Sequence, residues 1–148
     1  PIPSRGLGDV YKRQLSEKPY LGICLGLQVL FSLSEESIDS EGMNIFSGKV
    51  ERFTENENFK IPHMGWNQVV FKKKHFVNKN IPNSSNFYFV HSYASKELKK
   101  DNILAETTHG ELFNSAVIQD NVIGVQFHPE KSGAQGLKFL ENFINWKI

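Results

Sequence analysis

The stretch that decides the fold is PYLGICLGLQ, residues 19–28. Its apolar start, residues 19–23, has the length and composition of a short buried strand. The strand leads directly into the pattern Gly-x-Cys-x-Gly, which ends at Gly26, and a helix is predicted to begin at once. A sharp strand-to-helix turn of this kind lifts its central side chain away from the backbone. That side chain is Cys24, the single cysteine of the chain.

Two uses of Cys24 fit this position. It is a nucleophile if its thiolate is accessible, and the partial positive charge of a helix N-terminus is expected to favour the thiolate. Gly22 and Gly26 allow a tight turn, and the N–H of Leu25 is placed to stabilise an oxyanion. The alternative is a structural cysteine, because free cysteines are often buried. The turn itself favours the nucleophile, since a core residue has no need of it.

A nucleophilic cysteine needs a base, and the segment FHPE, residues 127–130, offers one. His128 follows an apolar strand predicted at residues 122–127, and Pro129 favours an extended backbone at the histidine. Residues two apart in an extended segment point the same way, so Glu130 is expected beside the imidazole, where it would orient the ring. The alternative is an ordinary His-Pro-Glu turn at the surface.

Composition excludes several classes of protein. The chain has 148 residues, 39% hydrophobic and 22% charged, which fits one soluble globular domain. A formal net charge of +1 argues against nucleic-acid binding, and no apolar stretch reaches the ~20 residues that a membrane helix needs. One cysteine forms no internal disulfide, and paired Cys or His spacing typical of metal sites is missing. We therefore expect a cytoplasmic protein without metal or cofactor.

Apolar periodicity predicts an α/β fold with a mixed sheet, flanking helices and an antiparallel portion. The predicted helices cover residues 25–33 and 132–146. Residues 62–67 are expected to form a loop, and residues 119–121 a tight hairpin turn. The predicted strands are residues 19–23, 48–53, 68–71, 86–93, 103–107, 113–118 and 122–127.

The cysteine and histidine motifs together resemble those of class I glutamine amidotransferases, the triad type of glutaminase domain. Residues 19–28 carry the first motif and GVQFHPE, residues 124–130, the second. PHMGWN at residues 62–67 and FYFVHSY at residues 87–93 resemble the glutaminase subunit of imidazole glycerol phosphate synthase, from histidine biosynthesis. The resemblance covers residues 15–148.

This resemblance implies a triad in which Cys24 attacks the side-chain amide of L-glutamine, giving a glutamyl thioester and ammonia. His128 would move the protons, Glu130 would orient it, and Leu25 would serve the oxyanion. Ammonia would pass to a separate (β/α)8-barrel cyclase subunit, in a heterodimer that produces imidazole glycerol phosphate and AICAR. The residues implied to bind glutamine are Gln28, Glu36, His91, Ser92 and Tyr93. Those implied to face the cyclase are Trp66, Tyr88 and Lys131.

The first residues depart from the family. Its members carry further strands before the nucleophile, with a Pro-Gly-x-Gly loop on the oxyanion side, and residues 1–14 do not match that region. We therefore expect residues 1–14 to be a disordered or foreign leader, and residues 15–148 to be an amidotransferase domain without its N-terminal strands. Two alternatives stay open: the glutaminase of another biosynthetic synthase, and a catalytically inactive fragment that only binds.

Overall fold

The computed structural model describes residues 18–37 and 42–148, and in that part of the chain nine strands form one mixed sheet. Two α-helices accompany them, Leu25–Gln28 and Gly133–Asn145. The strands are β1 (Tyr20–Ile23), β2 (Phe31–Ser34), β3 (Phe46–Arg52), β4 (His63–Phe71), β5 (Ser85–His91), β6 (Tyr93–Ser95), β7 (Ile103–His109), β8 (Glu111–Gln119) and β9 (Val122–Val125).

The hairpin of β8 and β9 connects all parts of the sheet. The strands follow the path β2-β3-β6-β8-β7-β4-β5, and β9 joins β8 to β1. β1 runs parallel to β9 and β2 parallel to β3, whereas the other pairs are antiparallel. The predicted mixed sheet with an antiparallel portion is therefore confirmed, and so is the hairpin turn, where Asp120 has a φ of 52°.

Two hydrophobic clusters cover opposite faces of this hairpin. Val117 and Val122 belong to one cluster, while Ala116, Ile118 and Ile123 belong to the other. Successive side chains of a strand point to opposite faces, so strands buried on both sides are apolar along their whole length. This explains why β9 is a continuous apolar run.

The helix predicted over residues 25–33 is wrong beyond its first turn. Leu25–Gln28 is helical, but Phe31–Ser34 is strand β2, which pairs in parallel with β3. Leu30 and Phe31 are nevertheless fully buried in one cluster. The spacing of these apolar residues therefore correctly indicated that they are buried. Their conformation is a strand because β3 offers main-chain hydrogen bonds to them.

The loop predicted at residues 62–67 is also wrong, because β4 begins at His63 and includes the rest of the segment. β4 pairs with β5 from His63↔His91 onwards, including the pair Trp66↔Tyr88. His63 is buried while Met64 and Trp66 are exposed, which is the alternation of a strand with one covered face. Pro, Gly and Asn within the segment obscured that period.

The remaining predictions agree with the observed elements to within a few residues. The strand predicted at residues 86–93 is interrupted at Ser92, between β5 and β6, and the last helix is Gly133–Asn145. The leader predicted at residues 1–14 lies outside the described residues and stays a prediction. None of the helices in the described ranges combines the length and apolar composition needed to cross a bilayer.

Candidate active site

The parallel pair of β1 and β9 brings the cysteine and histidine motifs to one edge of the sheet. Ile23 lies opposite Val125, and the Cys24 N–H donates to the Val125 carbonyl at 2.8 Å. Cys24 follows the last residue of β1, and His128 follows β9 by three residues. The carboxyl ends of neighbouring parallel strands are where ligands bind in α/β sheets.

The turn after β1 has the tight geometry predicted for it. Cys24 has φ 56° and ψ −106°, a left-handed conformation that non-glycine residues seldom adopt. A Cβ added to Gly22 would lie 2.3 Å from the carbonyl oxygen of Gly26, so this position requires glycine. Apart from its chain neighbours and the backbone of its own helix, a Cβ on Gly26 would meet no described atom within 4 Å. Close backbone packing in this part of the chain therefore explains the first glycine of the motif and not the second.

Two groups lie close to the sulfur of Cys24. The carbonyl oxygen of Val90, at the end of β5, lies 3.9 Å from Sγ and accepts from the thiol. The Nε2 of Gln126 lies 3.7 Å from Sγ and donates to it. The sulfur thus sits between the ends of β1, β5 and β9.

Burial raises the pKa of the Cys24 thiol above its usual value. The N–H of Leu25 and the side chain of Gln126 lower it, whereas the negative charges of Glu36 and Glu130 raise it further. The N–H that follows Cys24 at the turn therefore favours the thiolate, as expected, but burial outweighs it. Desolvation by burial is the largest of these effects and outweighs the two donors. The net effect of the surroundings is to favour the neutral thiol.

The histidine motif supplies an oriented imidazole. His128 Nδ1 lies 2.9 Å from Glu130 Oε2, so the ring donates from Nδ1 and Nε2 is left as an acceptor. The His128 N–H donates to the Tyr88 carbonyl at 2.9 Å, and the Ser132 hydroxyl donates to the His128 carbonyl at 2.6 Å. Ring and backbone of the histidine are therefore both fixed.

Among the predicted glutamine-binding residues, Gln28 and Glu36 lie near Cys24, whereas the His91 side chain is bound to other residues. Gln28 is buried, and its Oε1 has no hydrogen-bond partner among the described residues. Glu36 is exposed and close enough for its charge to act on the thiol. The segment of His91, Ser92 and Tyr93 follows directly after the Val90 carbonyl that contacts Sγ.

His91 is committed to a buried histidine pair that the sequence did not reveal. Its Nδ1 lies 2.9 Å from the Tyr93 carbonyl and must donate there, so its Nε2 accepts from His63 Nδ1 at 2.8 Å. The Nε2 of His63 then accepts from Asn67 Nδ2 at 3.1 Å. Burial lowers the pKa of His63 to about 3 and that of His91 to about 4. Both rings are neutral near pH 7.

Of the residues expected to face a partner, Trp66 and Lys131 are exposed and Tyr88 is half-buried. Trp66 is 57% exposed and packs edge-to-face on Tyr88, with ring centroids 6.0 Å apart. Lys131 is exposed and ends the short 3-10 helix Pro129–Lys131 that follows His128. The backbone N–H of Tyr88 donates to the Ser132 hydroxyl at 2.9 Å, and its carbonyl accepts from the His128 N–H, so this surface adjoins His128.

Gln126 is the site residue that the sequence motifs did not single out. It is 0% exposed, and its Oε1 has no hydrogen-bond partner within the described residues. The available signal was a polar residue at the end of a run that is otherwise apolar from 122 to 127. Across residues 18–37 and 42–148, no three His, Cys, Asp or Glu side chains are grouped as a metal site would require.

Curated relatives match most of the chain. The imidazole glycerol phosphate synthase subunit HisH of Aromatoleum aromaticum is 45% identical over 96% of this chain and 70% of that protein. The subunit of the same name from Methanosarcina barkeri is 47% identical over 97% of this chain and 70% of that protein. For Hydrogenovibrio crunogenus HisH the identity is 46%, over 88% of this chain and 62% of that protein. The chain thus spans roughly two thirds of the length of these relatives.

Solved structures and a family model also match this chain. A glutamine amidotransferase structure matches with a TM-score of 0.64 at 19% identity, over 93% of this chain and 68% of that one. PurLQS from Thermotoga maritima matches with a TM-score of 0.66 at 17% identity, over 92% of this chain and 65% of that one. At such identities the likeness concerns the fold alone. The model of the family Glutamine amidotransferase class-I matches residues 5–146, a range that begins within the predicted leader. The chain therefore belongs to the class-I glutamine amidotransferase family.

Proposed function

We propose that this chain is the glutaminase subunit of an imidazole glycerol phosphate synthase and hydrolyses L-glutamine through a thioester on Cys24. One observation carries the proposal. The single cysteine occupies a left-handed turn at the end of β1, and the hydrogen-bonded pair of His128 and Glu130 follows the parallel neighbour β9. The similarity to HisH subunits supports the choice of synthase over other glutaminases.

In the proposed reaction, Nε2 of His128 takes the thiol proton and the thiolate of Cys24 attacks the side-chain carbonyl carbon of glutamine. The Leu25 N–H stabilises the negative oxygen that forms. His128 then protonates the leaving nitrogen, the C–N bond breaks, and ammonia departs from the thioester. A water molecule, deprotonated by His128, attacks the thioester, and glutamate and the thiol are released. Glu130 orients the imidazole and stabilises its charged form throughout.

Substrate binding in this proposal uses groups around the sulfur. The carboxylate of Glu36 suits the α-ammonium group of glutamine, because opposite charges with hydrogen bonds pair well. Gln28 has a buried carbonyl oxygen able to accept an N–H from the substrate. Ser92 and Tyr93 would contribute through their backbone, since the His91 side chain is bound to its own neighbours.

The proposed partner is a (β/α)8-barrel cyclase subunit, which would use the ammonia to make imidazole glycerol phosphate and release AICAR. It would bind at the surface formed by Trp66, Tyr88 and Lys131. An exposed tryptophan packed on a tyrosine is typical of an interface core, and an exposed lysine is typical of its rim. This surface adjoins His128, so the ammonia would be formed next to the partner.

Glutamate release and cyclase binding by two variants test the proposal. Cys24→Ala should abolish glutamate release in the presence of the cyclase and leave binding intact, because only the thiol is removed. Trp66→Ala, as the matched surface variant, should weaken binding and leave the cysteine chemistry in place. Unchanged glutamate release by Cys24→Ala would contradict the mechanism. If the wild-type chain binds the cyclase and releases no glutamate, the binding-only alternative is correct.

A further inference from the structure

Gln126 contacts the reactive sulfur from the strand that carries the histidine. Its Nε2 lies 3.7 Å from Cys24 Sγ, and its backbone N–H donates to the Ser115 carbonyl at 2.8 Å. The side chain is fully buried. The hydrogen bond from the Gln126 backbone extends the β8–β9 pairing by one residue beyond Val125. The sheet therefore fixes the backbone that carries the Gln126 side chain.

The alternation of β9 explains why this side chain reaches the cysteine. Val122 and Gly124 lie on the face of the sheet that the helix Leu25–Gln28 covers, since a Cβ on Gly124 would meet Leu27 within 3.2 Å. Gln126 comes two residues later and extends to the same face. Its side chain therefore enters the space beside the turn that carries Cys24.

The free-energy cost of this residue argues against a purely structural role. A buried amide whose carbonyl has no hydrogen-bond partner among the described residues destabilises the fold. Methionine or leucine would fill a similar volume without that cost. What glutamine adds over either is an N–H donor directed at the sulfur.

We propose that Gln126 is a positioning residue of the site, whose side-chain amide donates a hydrogen bond to Cys24 Sγ and stabilises the thiolate once His128 has taken the proton. This inference rests on the proposed function. A hydrogen bond to the charged form of a group favours that form, and here it opposes the desolvation that favours the neutral thiol. With the Leu25 N–H, Gln126 gives the anionic sulfur two donors.

The single cysteine allows a direct test without glutamine turnover. Iodoacetamide alkylates the thiolate, which displaces iodide, and Cys24 is the one residue able to report. The test compares the pH dependence of alkylation of the wild-type chain with that of Gln126→Met and Gln126→Glu. The matched control is Gln119→Met, an exposed glutamine at the opposite end of the same hairpin. Near-ultraviolet circular dichroism verifies that each variant is folded.

Gln126→Met should raise the apparent pKa of alkylation by about one pH unit and slow alkylation about tenfold at neutral pH. Gln126→Glu should raise it further, because a carboxylate repels the thiolate. Gln119→Met should match the wild type.

A Gln126→Met profile that overlays the wild-type profile would overturn the proposal, and so would an equal displacement in Gln119→Met. Failure of the proposed function looks different. Glutamate release that survives Cys24→Ala would remove the mechanism and leave the alkylation profiles unaffected.

Discussion

Cys24 is held in a backbone conformation that stores free energy. Its φ of 56° and ψ of −106° lie outside the regions that residues with a Cβ prefer. Such outliers cost roughly 1–3 kcal/mol and persist where the surrounding structure imposes them. Here the β1–β9 pairing and the close approach of Gly22 to Gly26 impose it. Stability alone would therefore favour glycine at this position.

Cys24→Gly should be more stable than Cys24→Ala by about 1 kcal/mol, because glycine adopts a positive φ without a Cβ clash. Both variants lack the thiol, so their difference isolates the backbone, and the gain is reduced by the greater freedom of glycine in the unfolded chain. Urea-induced unfolding measures it. An alanine variant as stable as the glycine variant would show that the turn is unstrained.

Motifs in the sequence identified the residues that are close along the chain. Cys24 with its glycines, and His128 with Glu130, are local patterns whose geometry follows from backbone rules. Gln126 lies 102 positions from Cys24, and His63 lies 28 positions from His91. These contacts depend on strand register, which no local pattern specifies.

Among the elements, the junction of β1 and the helix Leu25–Gln28 depends more on Gly22 than on Gly26. Gly22→Ala should destabilise the fold, because its Cβ would come within 2.3 Å of the Gly26 carbonyl. We expect a loss of about 2 kcal/mol or more in the free energy of unfolding, comparable to an overpacked core. Thermal unfolding measures it.

Gly26→Ala is the matched control for that substitution. Apart from its chain neighbours and the backbone of its own helix, its Cβ would meet no described atom within 4 Å, and alanine is the better helix former. The control should therefore unfold at the wild-type temperature or above. A Gly22→Ala variant as stable as the control would mean that the junction relaxes easily.

Element type was predictable where sequence period and pairing partner agree. The β8–β9 hairpin and the helix Gly133–Asn145 follow from period and turn residues. Two strands could not be predicted in this way. Residues 31–34 have helix-like spacing but pair with β3. Residues 62–67 have turn-like composition, but the strand that begins there pairs with β5. In both cases the conformation is decided by a partner strand that lies elsewhere in the chain.

At the scale of the whole molecule, acid should destabilise the fold through the histidine pair. The pKa of His63 is about 3 and that of His91 about 4, both below the ordinary 6.5. The unfolded chain therefore binds more protons below pH 6.5, and stability falls as pH falls. Each histidine should cost on the order of 2 kcal/mol between pH 6.5 and 5.

Urea unfolding at pH 7.5 and pH 5 measures this dependence. The double variant His63→Gln with His91→Gln should lose most of it, since no buried histidine then remains to be protonated at this position. His109→Gln, which changes a neighbouring ring, should keep most of it. A double variant with the same loss of stability as the wild type would assign the acid sensitivity to other groups.

The pair of His63 and His91 has a further consequence for a proton held on His128. His128 lies close enough to His91 for their charges to interact, so a proton on His128 has a second imidazole nearby. That imidazole is a poor acceptor, because both of its nitrogens are engaged and its pKa is about 4. His91 therefore does not compete with the proposed base for its proton. In the proposed mechanism, a proton taken from the thiol would therefore stay on His128 until the leaving nitrogen accepts it.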